Sequence, residues 1–150
     1  MEMSVRYDNY RKKYNIDNTF RFNGDGILLY GDGVINIGEQ TYIGSYSTIQ
    51  ASKGFTVSIG KNCSISHNVK IYTASNDVNQ NFDNTSKKKK IMKNVVIGDG
   101  VWIGTNVFIN PGISLGDNSI IGANSVVTKN VDSNSIVGGV PARLIKYKSV

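Results

Sequence analysis

Aliphatic residues recur at every sixth position between residues 97 and 132. Glycine follows the aliphatic residue in four of these six hexads. An amphipathic helix repeats its apolar positions every 3.6 residues and a half-buried strand every two, so neither element explains a period of six. The pattern predicts short strands joined by tight turns and stacked as a solenoid, with the first residue of each hexad pointing inward. Those residues are Ile97, Ile103, Ile109, Leu115, Ile121 and Val127.

The same hexads occur upstream at 37–54 and 59–76, separated by a slip of four residues. A segment of twenty residues, 77–96, then interrupts the period before the main run. A long irregular segment inside a compact fold usually has a function, so we expect one loop to protrude here. Asparagine recurs at the fourth place of the hexads, which predicts turns in the left-handed region of backbone space. These asparagines are Asn62, Asn68, Asn106, Asn118 and Asn124.

The two ends of the chain depart from the repeat. Residues 1–16 carry Tyr7, Tyr10 and Tyr14 at a spacing that places them on one side of a short helix. The open end of a solenoid exposes unpaired strand edges, so we predict that this helix caps the first coil. Residues 133–150 follow the last hexad as a basic C-terminal tail. All 150 residues are therefore predicted to form a single domain.

Composition narrows the functional classes. The first residues lack the apolar centre of a signal peptide, and no apolar run approaches the ~18 residues of a membrane span. We therefore expect a cytoplasmic protein without an integral membrane segment. The net charge is +6, to which the run Lys87–Lys90 in the predicted loop contributes. Because the run lacks interleaved aromatic residues, we predict no nucleic-acid binding, and a solvated loop or a polyanionic partner stays open. The single cysteine, Cys63, is predicted to be a small buried side chain.

The sequence VWIGTNVFINPGISLGDNSIIGANSVVTKNV, followed by GGVPARLIK, resembles the left-handed parallel β-helix acyltransferases. Within that family it is most similar to the galactoside, maltose and polysaccharide O-acetyltransferase branch. The resemblance implies an all-β fold, a left-handed parallel β-helix solenoid with a short N-terminal helix and one protruding loop. It also implies a homotrimer with a groove between neighbouring subunits, acetyl-CoA as acyl donor, and a hydroxylated saccharide as acceptor.

The resemblance further implies where acetyl-CoA would be held. Small side chains would line a groove for the pantetheine arm, and cations would meet the phosphates. It implies no metal, because a zinc enzyme of this fold needs three histidines and the chain has one. The implied acetyl-CoA contacts are Trp102, Gly104, Thr105, Ala123, Thr128, Lys129, Arg143 and Lys146.

The catalytic position is where the sequence departs from the family. The resemblance places the general base, normally histidine, at Asn76, and a neutral amide does not accept a proton near pH 7. Asp77 is the adjacent candidate. The only histidine, His67, lies nine residues before Asn76, or half a coil away, so we expect an exposed turn residue remote from the groove. Three explanations stay open: a weak or non-catalytic member, a base supplied by Asp77 or the loop, or an introduced substitution at Asn76.

The resulting hypothesis is an acetyl-CoA-dependent O-acetyltransferase that acts on a sugar or polysaccharide precursor. Loss of a general base costs about 10²–10⁴ in rate, so weak activity or none is expected. The alternatives are a catalytically silent trimeric β-helix that serves as a binding or scaffold subunit, and an N-acetyltransferase for an amino sugar.

Overall fold

The computed structural model describes residues 2–83 and 87–150, so residue 1 of the predicted cap and residues 84–86 of the predicted loop lie outside the described residues. In this part of the chain there are one helix, α1 (Met3–Lys13), and nineteen short strands. In chain order the strands are β1 (Asn15–Ile16), β2 (Arg21–Asn23), β3 (Leu28–Tyr30), β4 (Val34–Ile37), β5 (Tyr42–Gly44), β6 (Thr48–Gln50), β7 (Thr56–Ile59), β8 (Ser64–Ile65), β9 (Lys70–Tyr72), β10 (Ala74–Asn76), β11 (Lys90–Met92), β12 (Val95–Ile97), β13 (Trp102–Ile103), β14 (Phe108–Ile109), β15 (Ser114–Leu115), β16 (Ile120–Ile121), β17 (Val126–Val127), β18 (Ser135–Gly139) and β19 (Ala142–Tyr147).

Successive strands contribute in turn to three sheets, which form the faces of a prism. Sheet A has the order β1-β4-β7-β12-β15, sheet B the order β19-β18-β16-β13-β8-β5-β2, and sheet C the order β17-β14-β9-β6-β3. The stacked strands are parallel and in register, so that Ile59 lies beside Ile97 and Ile97 beside Leu115. This arrangement is a β-solenoid of about five turns, which confirms the predicted fold class.

The core is the column of aliphatic side chains that runs inside the prism. All six residues predicted to point inward are buried, which confirms that prediction. Burying an aliphatic side chain of this size contributes about 1.5–3 kcal/mol, and each coil repeats the gain on all three faces. The fifth residue of each hexad, from Val101 to Val131, is buried as well, whereas the third and sixth residues are not, so the period of six determines both the core and the surface.

The turns follow the predicted asparagine pattern. The fourth-place asparagines have φ between 54° at Asn68 and 68° at Asn106, in the left-handed region. Their side chains also bond to one another: Asn68 Nδ2 donates to Asn106 Oδ1, and Asn106 Nδ2 donates to Asn124 Oδ1 at 3.1 Å. One edge of the prism therefore carries a ladder of amides that holds consecutive coils together.

Helix α1 covers the first coil. The hydroxyls of Tyr7 and Tyr14 each donate to a backbone carbonyl of that coil at 2.7 Å, those of Gly24 and Gly31 respectively. The tyrosine face that the sequence predicts is thus the face that contacts the solenoid. No helix within the described residues has the length and apolar character needed to cross a membrane.

The C-terminal segment is a strand rather than a loose tail. Strand β19 pairs antiparallel with β18 and extends sheet B. The Tyr147 hydroxyl donates to Asp132 Oδ2 at 2.8 Å, and this hydrogen bond raises the pKa of Tyr147. The basic side chains of the segment are therefore attached to a fixed backbone at the end of the prism.

Candidate functional site

Sheets B and C meet at an edge of the prism where four residues from consecutive coils stack. We call Ser45, His67, Thr105 and Ala123 the corner column. Each follows a strand of sheet B by one or two residues, and those strands are in register through Ile43, Ile65, Ile103 and Ile121.

Backbone hydrogen bonds fix the spacing of the corner column. The N–H group that follows Thr105, on Asn106, donates to the His67 carbonyl at 3.0 Å. The N–H group that follows Ala123, on Asn124, donates to the Thr105 carbonyl at 2.9 Å. His67, Thr105 and Ala123 are therefore successive members of one stack, and all three are exposed.

His67 lies in a place that the sequence analysis did not predict. It is exposed, as expected, but it lies one coil from Thr105 rather than on a remote part of the prism. Its Nδ1 accepts a hydrogen bond from the backbone N–H of Ser45 at 2.8 Å. The expectation that His67 is distant from the predicted acetyl-CoA contacts is therefore not met.

The other residues predicted near this edge differ in exposure. Trp102 lies on the outer face of sheet B and is 54% exposed, so its ring is free to contact a ligand or a neighbouring subunit. Gly104 is buried, and a Cβ there would lie 2.7 Å from the backbone nitrogen of Ala123. Close approach of adjacent coils accounts for this glycine, and its contact with acetyl-CoA stays a prediction.

The remaining predicted contacts lie across sheet C and at the end of the prism. Thr128 and Lys129 are exposed at the edge between sheets C and A. The five residues from Ala123 to Thr128 span at most about 17 Å when extended, so the two edges flank one narrow face. Lys129 and Arg143 line one open depression, whereas Lys146 lies on β19 beside Ile136 and is exposed.

An antiparallel hairpin, β10–β11, leaves the prism at the edge between sheets C and A. The buried Thr73 closes its base, because its carbonyl accepts the N–H of Lys93 at 2.8 Å. Beyond the strands, Gln80 Nε2 donates to the carbonyls of Asp77 at 2.7 Å and Lys89 at 2.9 Å. The paired segment begins at Ala74, before the predicted loop, and the solenoid resumes with β12 inside its predicted range.

Asn76 lies on this hairpin directly opposite Lys90. Both side chains are on the same face of the ribbon and exposed, because directly paired residues in an antiparallel ribbon share a face. The Asp77 carboxylate accepts the backbone N–H of Asn79 at 2.9 Å, so one of its oxygens is used in the turn. Catalytic roles for Asn76 and Asp77 stay predictions. In the lysine run, Lys88 Nζ donates to the Phe82 carbonyl at 2.9 Å.

Two aromatic residues that the sequence analysis did not select lie on the outer face of sheet C. The rings of Tyr72 and Phe108 stack with centroids 5.6 Å apart. Burial, and then the neighbouring Tyr72, raise the pKa of Tyr30, which lies on the same sheet. The only signal in the sequence was the appearance of aromatic residues at outward hexad positions. Such exposed rings offer a flat surface for a sugar or a pantetheine arm.

Two other chemistries have no support at this site. Burial raises the pKa of the Cys63 thiol, and Sγ donates to the Gly98 carbonyl at 3.1 Å, so a reactive thiolate is disfavoured. Within residues 2–83 and 87–150, no three His, Cys, Asp or Glu side chains are grouped so that they could hold a metal ion.

Comparison with known proteins gives consistent matches. Residues 94–129 match the family described as bacterial transferase hexapeptide (six repeats), and residues 34–73 match the hexapeptide repeat of succinyl-transferase. A maltose O-acetyltransferase from Clostridium difficile is 32% identical, with 99% of this chain and 78% of that chain covered and a TM-score of 0.75.

Two further solved structures contain a ligand. A hexapeptide-repeat-containing acetyltransferase from Vibrio cholerae, in complex with acetyl coenzyme A, is 29% identical over 98% of this chain and 78% of that chain, with a TM-score of 0.81. A galactoside acetyltransferase in complex with coenzyme A is 30% identical over 97% of this chain and 71% of that chain, with a TM-score of 0.75.

Proposed function

Because the chain belongs to the hexapeptide-repeat acyltransferases, we propose that it transfers an acetyl group from acetyl-CoA to a hydroxyl group of a sugar or polysaccharide precursor. One observation carries the proposal. Lys129 and Arg143 line the same depression at the end of the prism, and the exposed Ala123 and Thr105 lie on the corner column, across sheet C from Lys129. Cations of this kind suit the phosphates of CoA, and small side chains leave room for its pantetheine arm.

The proposed acceptor site lies on the outer face of sheet C and the adjoining hairpin. The stacked Tyr72 and Phe108 offer a flat apolar surface, and the hairpin contributes the exposed polar side chain of Asn76. Sugars present an apolar ring face together with hydroxyl groups, so both features suit a saccharide.

We further propose a homotrimer in which the acyl donor lies between neighbouring subunits. The predicted contacts lie on both edges of sheet C, and large side chains are exposed on adjacent faces, including Trp102 at 54% and Val96 at 47%. A slim prism also has a large surface for its mass, which favours association. Light scattering at micromolar concentration should give three times the mass of the chain.

The reaction needs a proton acceptor that this site lacks at the expected position. The acceptor oxygen attacks the thioester carbonyl carbon, the carbon–sulfur bond breaks, and the hydroxyl proton is finally carried by the CoA sulfur. Asn76 is proposed to lie beside the thioester, where its amide can orient the hydroxyl but cannot take its proton. Slow turnover is expected as a result.

The test is a panel of hydroxylated saccharides supplied with acetyl-CoA. We expect CoA release together with an acetylated saccharide detected by mass spectrometry, at a low rate for this chain and a higher rate for Asn76→His. If both chains bind CoA and neither acetylates any saccharide, the protein is instead a silent binding subunit. An amino sugar with its hydroxyls blocked reveals transfer to nitrogen.

A further inference from the structure

The single histidine of the chain is held in a defined orientation on the corner column. His67 Nδ1 accepts the backbone N–H of Ser45 at 2.8 Å. The ring lies against Gly44, where a Cβ would come within 2.5 Å of that same nitrogen. Gly44 does not have a positive φ, so close packing explains the glycine: a Cβ would meet the imidazole and also the backbone of Ser66 and His67 in the next coil. Two separate contacts therefore fix the side chain, although it remains exposed.

The hydrogen bond to Nδ1 determines what the other ring nitrogen can do. A neutral imidazole has one donor nitrogen and one acceptor nitrogen. Because Nδ1 of His67 is the acceptor for Ser45, the proton is on Nε2. Nε2 is therefore an N–H donor without a free lone pair. His67 in this state is suited to donating a hydrogen bond to an oxygen and unsuited to accepting the proton of a hydroxyl group.

The position of His67 brings this donor to the line that the acyl donor is proposed to follow. Lys129 and Arg143 are the proposed phosphate contacts, and Ala123 and Thr105 lie on the corner column, across sheet C from Lys129. The next member of that stack is His67, whose carbonyl accepts the N–H of the residue after Thr105 at 3.0 Å. We infer that His67 Nε2–H donates to the carbonyl oxygen of the thioester, an inference that rests on the proposed function, including a thioester between neighbouring subunits, because His67 and Asn76 lie at opposite edges of sheet C.

This role defines which bonds change and which do not. The acceptor hydroxyl oxygen forms a bond to the thioester carbonyl carbon, and the carbonyl oxygen becomes negatively charged. His67 stabilises that charge and keeps its proton throughout. When the oxyanion collapses, the carbon–sulfur bond breaks and the hydroxyl proton ends on the CoA thiol. A preorganised donor to an oxyanion is worth about 10²–10³ in kcat.

The kinetic test compares His67→Ala with His67→Gln. The glutamine side chain can present an amide N–H near the place of Nε2, whereas alanine has no donor. We expect kcat to fall about 10²–10³-fold in the alanine variant, to recover largely in the glutamine variant, and KM for acetyl-CoA to stay within about threefold in both. An unchanged kcat in the alanine variant, or a change in KM alone, overturns the inference. Circular dichroism of both variants checks that the solenoid is retained.

A second measurement does not depend on turnover. Since the chain has one histidine, ¹⁵N-labelled protein gives a single pair of imidazole nitrogen signals. Titration with S-acetonyl-CoA, a ketone analogue that cannot transfer its acyl group, should shift the Nε2 signal and leave Nδ1 hydrogen-bonded. Binding of the analogue without any change at Nε2 overturns the inference. If Nε2 shifts but no variant, including Asn76→His, acetylates a saccharide, the contact stands and the proposed transfer reaction fails.

Discussion

The corner column and the β10–β11 hairpin hold their polar side chains in different ways. On the column, His67 is fixed by the coil below through Ser45 and by the coil above through the backbone after Thr105. On the hairpin, Asn76 has a single partner strand, and Lys90 lies opposite it on the same exposed ribbon. A column residue is therefore positioned by the repeat itself, whereas a hairpin residue is positioned by one local pairing.

This difference explains how the two regions can divide the chemistry. A rigid column suits a group that must be preorganised, such as a hydrogen-bond donor to an oxyanion. A projecting ribbon suits the acceptor side, where different sugars require different shapes. If the donor lies on the column and the base position on the hairpin, as proposed, a substitution at Asn76 changes the rate and leaves the binding surfaces in place. Variants that affect one region alone test this division.

The largest expected effect is on the hairpin. Asn76→His supplies a proton acceptor at the proposed base position, and we expect turnover to rise about 10²–10⁴-fold. Activity should increase with pH through the pKa of the introduced imidazole, because its neutral form is the base. The positive charge of Lys90 opposite should lower that pKa. The double variant with Lys90→Gln should therefore shift the pH profile of activity to higher pH. Initial rates of CoA release between pH 5 and 9 measure both effects.

The matched control is the same substitution elsewhere on the hairpin. Asn79→His places an imidazole at another exposed position of the same segment, and it should leave the rate unchanged. Equal gains from both substitutions would contradict a specific base position at Asn76. No gain from Asn76→His, in a chain that does acetylate a saccharide, would place the base on another residue.

The next largest expected effect is on the free energy of unfolding, which should depend more on the solenoid core than on the hairpin. Ile103→Ala removes a fully buried side chain from the core of the solenoid and should cost about 2–5 kcal/mol. Ile91→Ala, on the hairpin, removes a side chain that is 37% exposed and should cost less than about 1 kcal/mol. Guanidinium unfolding at one fixed protein concentration compares the two free energies of unfolding. A similar loss in both would show that the hairpin packs against a neighbouring subunit.

The repeat made most of the fold predictable. A period of six assigned the inward residues, and asparagine at the fourth place assigned the left-handed turns, because both follow from local backbone geometry. Counting hexads in the same way also places His67 beside Thr105. His67 and Thr105 are 38 residues apart, and removing the twenty-residue interruption leaves 18, which is three hexads and one full coil. The nine-residue offset between His67 and Asn76 does not by itself reveal this neighbour.

The hairpin and the C-terminal strand were not predictable in the same way. Their positions depend on single contacts that have no period, such as Lys93 with Thr73 and Tyr147 with Asp132. The basic composition of residues 133–150 indicated a charged segment. It did not predict the antiparallel pairing of β18 with β19. The Tyr72–Phe108 stack was missed because outward positions of a repeat carry no periodic constraint.

The depression at the end of the prism offers a smaller test. Arg143→Ala should weaken CoA binding about tenfold, because Arg143 lines the depression together with Lys129 and a charged hydrogen bond is worth about 1.5–3 kcal/mol. Lys146→Ala should weaken it less, since Lys146 is not among the residues that line the depression. Both losses should be smaller for dephospho-CoA if these cations contact the terminal phosphate. Calorimetric titration with the two ligands measures this, and equal losses would exclude that contact.

The smallest expected effect concerns two buried serines of the solenoid and their contributions to the free energy of unfolding. Ser125 Oγ donates to the Gly122 carbonyl at 2.7 Å and accepts the Gly139 N–H at 3.0 Å, whereas Ser119 Oγ has no hydrogen-bond partner among the described residues. Ser125→Ala should therefore cost about 1–3 kcal/mol, because it leaves buried groups unpaired. Ser119→Ala should change the free energy of unfolding by less than about 1 kcal/mol, in the stabilising direction, because the hydroxyl is buried without compensation. A clear destabilisation by Ser119→Ala would mean that its hydroxyl has a hydrogen-bond partner in the assembled protein. The solenoid core would then depend on contacts that the single chain does not show.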